Sequence, residues 1–211
     1  MRKPLRTFAD SFGLATTNWT HLLSAQLFNP AQGTLNSATF TFTDDVVQSF
    51  KAENTGGSPD TLTPIASAQL LFRKSLATLL TTSLSGTGTS FAATAFDGLD
   101  NYAGRSGTVF SDVTLNGVGT ITLTGAALAS LIGTGTLGSV GYDVRAVGAG
   151  LVGSDNGNLS SNISTLARYN LNLVYDYTPR AITVPEPGSM ALFGVALAGL
   201  GFMRRKASKA A

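Results

Sequence analysis

Carboxylates in two turn-rich stretches are the residues of this chain whose type and spacing could support chemistry. Asp97 and Asp100 lie in FDGLDNYAGRSG, and Asp155 lies in SDNGN, residues 154–158. Oxygen ligands of this kind suit calcium, and two acids at the right separation can hydrolyse a glycosidic bond. Neither stretch has the complete ligand register of a known calcium loop, and turns also require Asp, Asn and Gly. We therefore expect no metal site and no cofactor, with calcium as the minor alternative.

Other catalytic arrangements find little support in the sequence. The chain has no cysteine, which removes thiol nucleophiles and thiolate metal sites, and its one histidine, His21, has no Gly-x-Ser-x-Gly stretch to accompany it. GTGTLG, residues 133–138, fits a phosphate-binding glycine pattern, but a strand rather than the required helix is expected to follow it. Asp44 and Asp45 are adjacent, so in a strand they point to opposite faces and cannot share acid–base work. The sequence predicts a protein that is not an enzyme.

Composition and charge narrow the class further. The 211 residues are 43% hydrophobic and 12% charged, which favours one main folded domain over disorder. Half of the 14 basic residues lie near the two termini, and between residues 16 and 180 the acids outnumber the bases. Since the body is mildly acidic, we expect no nucleic-acid partner.

Alternating apolar and polar residues predict an all-β fold, an antiparallel β-sandwich over residues 17–179. In LNSATFTFTDDVVQSFKAENTGG, Asp44 and Asp45 indicate a bend between two strands, and Lys51 and Glu53 are expected to face outward. The stretch PIASAQLLFRKSLATLLTTSLSG also fits a helical stripe, but we favour two strands. The residues predicted to lie inside the sandwich are Phe40, Phe42, Leu171, Leu173 and Tyr175.

The two ends of the chain differ from this body. Residues 1–16 have a basic start, but Asp10 interrupts the apolar run that a signal peptide needs, so we interpret them as a poor or truncated export signal. Residues 180–188 form a linker, residues 189–203 carry no charge, and residues 204–211 are basic. A 15-residue helix would rise about 22 Å against a hydrocarbon core of about 30 Å. Its flanks favour a single C-terminal transmembrane helix with the basic tail in the cytoplasm.

This tail resembles the PEP-CTERM sorting signal of Gram-negative bacteria that make extracellular polysaccharide. The resemblance rests on three features in order: VPEP, an apolar helix and an Arg-rich end. It implies recognition by exosortase, a membrane-embedded enzyme, and cleavage near the Pro-Glu-Pro, and makes the helix a transient anchor. By this resemblance the sorting motif is Val184, Pro185, Glu186 and Pro187. The residues that stop and orient the helix in the membrane are Arg204, Arg205 and Lys206.

The body is similar to the choice-of-anchor E domain, an extracellular β domain that is attached to different C-terminal anchors. The similarity rests on LLSAQLFNPAQGTLNSATFTF, LIGTGTLG and LNLVYDYTP. That family supplies no biochemical activity to carry over.

Together these features predict an exported surface or extracellular-matrix protein with a structural or adhesive β domain. We expect it to pass through the inner membrane with the domain on the periplasmic side and to end at the cell surface or outside the cell. Exosortase, the inner membrane and extracellular polysaccharide are the expected partners. Two alternatives stay open: a secreted polysaccharide hydrolase that uses Asp97, Asp100 or Asp155, and a binding module permanently anchored in the membrane.

Overall fold

A computed structural model describes residues 5–134, 138–181 and 193–197. The chain divides into two compact units, Met1–Pro179 and Arg180–Ala211. The first unit is built almost entirely from antiparallel strands, which confirms the all-β class. Its strands are β1 (Leu5–Thr16), β2 (Thr20–Gln26), β3 (Gly33–Asn54), β4 (Asp60–Lys74), β5 (Ala77–Thr87), β6 (Phe91–Ala93), β7 (Gly107–Val109), β8 (Val113–Leu123), β9 (Ser139–Gly148), β10 (Leu151–Gly153) and β11 (Leu159–Pro179). Two short 3₁₀ helices, Pro30–Gln32 and Gly125–Leu131, connect them.

The strands form two sheets. In sheet A the order is β1, β11, β3, and both β7 and β8 pair with the far side of β3. In sheet B, β4 pairs with β9 and β10 on one side and with β5 and β6 on the other, and β9 also pairs with β2. The long pairing of β3 with β11 is the spine of sheet A, with one register shift between Asp176 and Tyr177.

Alternating side chains of both sheets meet in one hydrophobic core. The five residues predicted to lie inside are at most 1% exposed, and they are Phe40, Phe42, Leu171, Leu173 and Tyr175. Aromatic rings of the two sheets pack against one another in this core. The ring centroids are 5.1 Å apart for Phe40 and Phe72 and 5.0 Å apart for Phe72 and Tyr142. Burying each such side chain contributes about 1.5–3 kcal/mol, which gives the two sheets their main attraction.

Of three further expectations from the sequence, the structure confirms one and contradicts two. The stretch after Pro64 forms two strands, β4 and β5, as favoured. The predicted bend after Asp44 and Asp45 is wrong, because β3 continues through both residues: Asp44 packs inward beside Thr82, and Asp45 pairs outward with Arg168. The predicted start of the β domain at residue 17 is also wrong, because β1 pairs with β11 as an edge strand of sheet A.

The second unit is described only in part. Residues 193–197 are helical, within the 189–203 segment predicted to span the membrane. Across the residues that the structure describes, no helix has the length and apolar character needed to cross a membrane. The remainder of that predicted span and the basic tail at 204–211 lie outside the described residues.

Candidate functional site

Asp97 and Asp100 lie on the exposed loop between β6 and β7, residues 94–106. One carboxylate oxygen of Asp97 accepts a hydrogen bond from the Leu99 amide at 2.9 Å, which closes a tight turn within the loop. Across the part of the chain that the structure describes, no three acidic or histidine side chains come together in a group that could hold a metal ion. The geometry thus makes Asp97 a turn-forming residue.

Asp155 follows β10 in a turn that is tied down by another acid, Asp60. The carboxylate of Asp60 accepts hydrogen bonds from the Ser154 hydroxyl at 2.5 Å, the Asp155 amide at 2.8 Å and the Thr61 amide at 2.7 Å. Burial alone would raise the pKa of Asp60, but these hydrogen bonds outweigh it and hold the pKa below its usual range. Both carboxylate oxygens of Asp60 therefore accept hydrogen bonds, and these bonds fix the 154–158 turn.

His21 is packed at the open side of the sandwich, where the edge strands β1 and β2 face each other. The Tyr169 hydroxyl donates to Asp10 at 3.1 Å and lies 2.8 Å from Nδ1 of His21, so this nitrogen donates its proton to the hydroxyl. The ring of Phe12 stacks on His21 with centroids 4.6 Å apart. Burial, and then the charge of Asp10, raises the pKa of Tyr169. His21 is thereby engaged in packing and hydrogen bonding.

The sequence did not predict that two acids, Asp44 and Glu53, would be buried. Asp44 is 2% exposed, and one of its oxygens has no hydrogen-bond partner. Glu53 is fully buried, and neither of its carboxylate oxygens has a partner. The alternation along β3 placed Glu53 on the outward face, and no local signal reveals that the loop 94–106 covers it.

The structured domain leads directly into the C-terminal segment through β11. This strand lies between β1 and β3 and ends at Pro179. In the helical residues 193–197, the side chains of Phe193, Val195 and Leu197 are all more than half exposed. The predicted sorting residues, Val184 to Pro187, and the predicted orienting residues, Arg204 to Lys206, lie outside the described residues.

Comparison with known families decides the nature of this segment. The family described as a PEP-CTERM protein-sorting motif matches the chain over residues 183–206. The C-terminal segment is a PEP-CTERM motif. Such a motif is a recognition signal for exosortase and marks an exported protein that is processed at the membrane and reaches the cell surface. All seven residues predicted from the sequence as sorting or orienting residues fall inside the matched PEP-CTERM range.

Comparisons of the whole chain add little to the PEP-CTERM match. No curated protein matches the chain. Among solved structures, the chain is similar to that of the infectious bursal disease virus Gx strain, with 14% identity and a TM-score of 0.17 over 92% of this chain and 48% of that chain. The infectious bursal disease virus VP2 subviral particle gives 11% identity and a TM-score of 0.16 over 92% of this chain and 48% of that chain. This chain spans about half the length of those viral chains, and at such TM-scores the likeness carries no argument.

Proposed function

We propose that this protein is an exosortase substrate whose β domain acts outside the cell as a non-catalytic structural or adhesive module. The observation that carries the proposal is the order of the two parts: the last strand ends at Pro179, and the PEP-CTERM motif begins at residue 183. Since β11 is complete before the motif starts, cleavage near Pro185 to Pro187 would release every strand of the domain intact. The β domain is thus the part of the protein that is exported, and the tail is its sorting signal.

The chemistry of the motif suits presentation to a membrane enzyme. Pro185 and Pro187 favour an extended backbone without intrachain hydrogen bonds, which an active site can grip. The uncharged residues 189–203 act as a short transmembrane anchor, and a mismatch with the bilayer costs only fractions of a kcal/mol per Å. Arg204 and Lys206 keep the end of the chain in the cytoplasm, so the domain waits on the periplasmic side of the inner membrane.

We assign the body of the chain to the choice-of-anchor E type, with extracellular polysaccharide as the partner of the adhesive domain. A non-catalytic role is supported by the contacts of the acids. Asp97 closes its own turn, and Asp60 holds the turn that contains Asp155. A hydrolase would instead need two carboxyl groups facing one another across a cleft.

The proposal is tested by following the protein in two bacterial hosts that differ only in exosortase. With exosortase, the protein should lose the mass of its tail and leave the inner-membrane fraction. Without exosortase, the full chain should stay in that fraction. A chain that keeps its tail in both hosts would mean a permanently anchored module, and the proposed processing would be wrong.

A further inference from the structure

The side chain of Glu53 is buried without a partner among the residues that the structure describes. Glu53 is the penultimate residue of β3, its side chain is fully buried, and both carboxylate oxygens lack a hydrogen-bond partner. Within the described ranges, the ion pairs are those of Arg73 with Asp143 and of Arg168 with Asp45, so no basic side chain neutralises Glu53. A buried carboxylate without a counter-charge is strongly unfavourable. Such a group calls for an additional partner.

The carboxylate of Glu53 faces the loop 94–106. In the sheet, Glu53 lies opposite Gly107 on β7 and Ser160 on β11. A Cβ atom added to Gly107 would collide with the Glu53 carboxylate and would lie 2.8 Å from the Ala103 nitrogen. The Tyr102 hydroxyl lies 3.3 Å from the Ser160 hydroxyl and covers the same place. The loop therefore closes over Glu53, and glycine at 107 leaves the space that the carboxylate occupies.

The same loop carries a second carboxylate, that of Asp97. One oxygen of Asp97 is used by the Leu99 amide. The other oxygen lies 3.2 Å from the position that a Cβ on Gly104 would occupy. Asp97 thus lies beside Gly104 and Glu53 lies beside Gly107, at the two ends of the short segment 104–107.

We propose that Glu53 and the loop 94–106 hold a hard divalent cation, for which calcium is the natural probe. Glu53 is the main ligand, and Asp97, loop carbonyls and water complete the oxygen shell that calcium prefers. Because no three acidic side chains cluster in the described residues, the site has little negative charge. Binding should then be weak, with a dissociation constant on the order of 10⁻⁴ to 10⁻³ M, as in extracellular modules.

The contrast with the other turn-rich stretch locates the site. At 154–158 the buried acid, Asp60, already accepts three hydrogen bonds from Ser154, Asp155 and Thr61. Glu53 accepts none. A cation is needed beneath the loop 94–106 and not beside Asp155, which makes Asp155→Asn a matched control. This site is independent of the sorting signal.

The experiment compares thermal unfolding of the full chain in EDTA and in millimolar calcium, with sodium chloride to match ionic strength. Calcium should raise the Tm of the wild-type protein by about 2–5 °C. Glu53→Gln should remove this shift and raise the Tm in EDTA, because the buried charge is gone. Asp155→Asn should keep the full shift. Native mass spectrometry should show one calcium ion on the wild-type protein and none on Glu53→Gln.

Three results would overturn the inference. The first is a wild-type Tm that is the same in EDTA and in calcium, and the second is a Glu53→Gln protein that keeps the calcium shift. The third is a Glu53→Gln protein that is less stable in EDTA, which would make Glu53 an anchor for loop amides. If Glu53→Gln does not fold, Asp97→Asn carries the test, and its calcium affinity must fall at least tenfold.

Discussion

The carboxylate of Asp44 on β3 accepts a hydrogen bond of 2.7 Å from the hydroxyl of Thr82 on β5, so one polar contact joins the two sheets inside the core. The other oxygen of Asp44 has no partner and lies against Gly117 on β8. Burial raises the pKa of Asp44 above its ordinary 3.8, although the Thr82 bond opposes the shift. The fold therefore binds a proton at Asp44 more tightly than the unfolded chain does.

This relationship predicts how stability depends on pH. The pKa of Asp44 is higher in the folded state than in the unfolded chain. The protonated Asp44 side chain therefore contributes its full stabilisation below about pH 4, and this stabilisation is lost as the pH rises through the raised pKa. Asp44→Asn keeps an acceptor for the Thr82 hydroxyl and carries no charge. It should therefore reduce the fall in the free energy of unfolding as the pH rises, and it should stabilise the protein at neutral pH. Urea unfolding from pH 4 to 8 measures the effect.

The adjacent acid provides the control for that measurement. Asp45 forms an exposed ion pair with Arg168 at 2.6 Å, a type of contact worth about 0–1 kcal/mol. Asp45→Asn should leave the decline of stability between pH 4 and neutrality in place. If Asp44→Asn shows the same decline as the wild-type protein, our account of the buried carboxylate is wrong.

Gln48 is a second polar contact between the sheets. It is fully buried, accepts a hydrogen bond from the Ser67 amide at 2.7 Å and donates to the Thr165 hydroxyl at 2.6 Å. Gln48→Leu leaves both partners unsatisfied and should lower the free energy of unfolding by about 1–3 kcal/mol. The exposed Gln69 makes only a 3.4 Å contact with Ser83, so Gln69→Leu should change it by less than about 0.5 kcal/mol. Equal losses from the two variants in urea unfolding would contradict the assigned role of Gln48.

Strand alternation made the core of the sandwich predictable. Phe40 and Phe42 on β3, and Leu171 and Leu173 on β11, repeat every second residue, and this spacing can bury them only in a strand. The PEP-CTERM motif was also predictable, because its sequence features are local and ordered.

Long-range packing made other features unpredictable. On β1 the partly buried positions include Arg6 and Asp10, charges that protect an edge strand from further pairing but also conceal the apolar pattern. Asp44 and Asp45 resembled turn residues because their partners, Thr82 and Arg168, are far away in the sequence. Glu53 likewise looked exposed, because only the fold brings the loop 94–106 over it.

The domain should have no hydrolytic activity. Asp97 and Asp155 belong to separate turns, and the hydrogen bonds that form those turns account for their positions. Purified protein should therefore not release sugars, acids or peptides from polysaccharide, ester or peptide substrates above the level of a buffer blank. Turnover that disappears in Asp97→Asn or Asp155→Asn would establish a carboxylate hydrolase instead.

Two substitutions in the tail should separate membrane insertion from processing. Val195 lies in the helical residues 193–197, and a charge at the centre of a membrane helix costs roughly 2.5–3.5 kcal/mol. Val195→Arg should therefore block both anchoring and processing. Glu186→Ala lies outside the apolar run and should impair processing alone. Membrane fractionation with gel mobility in a host that has exosortase distinguishes the two, and a Glu186→Ala protein processed like the wild type would remove this residue from the recognition motif.

The central claim is that exosortase recognises the PEP-CTERM motif and then removes it by cleavage. The mass of the mature protein tests this claim most directly. Protein recovered from a host with exosortase should have a new C-terminus close to Val184–Pro187, with the whole β domain through Pro179 retained. Protein from the same host without exosortase should end at Ala211. A mature protein that still ends at Ala211 when exosortase is present would contradict the account.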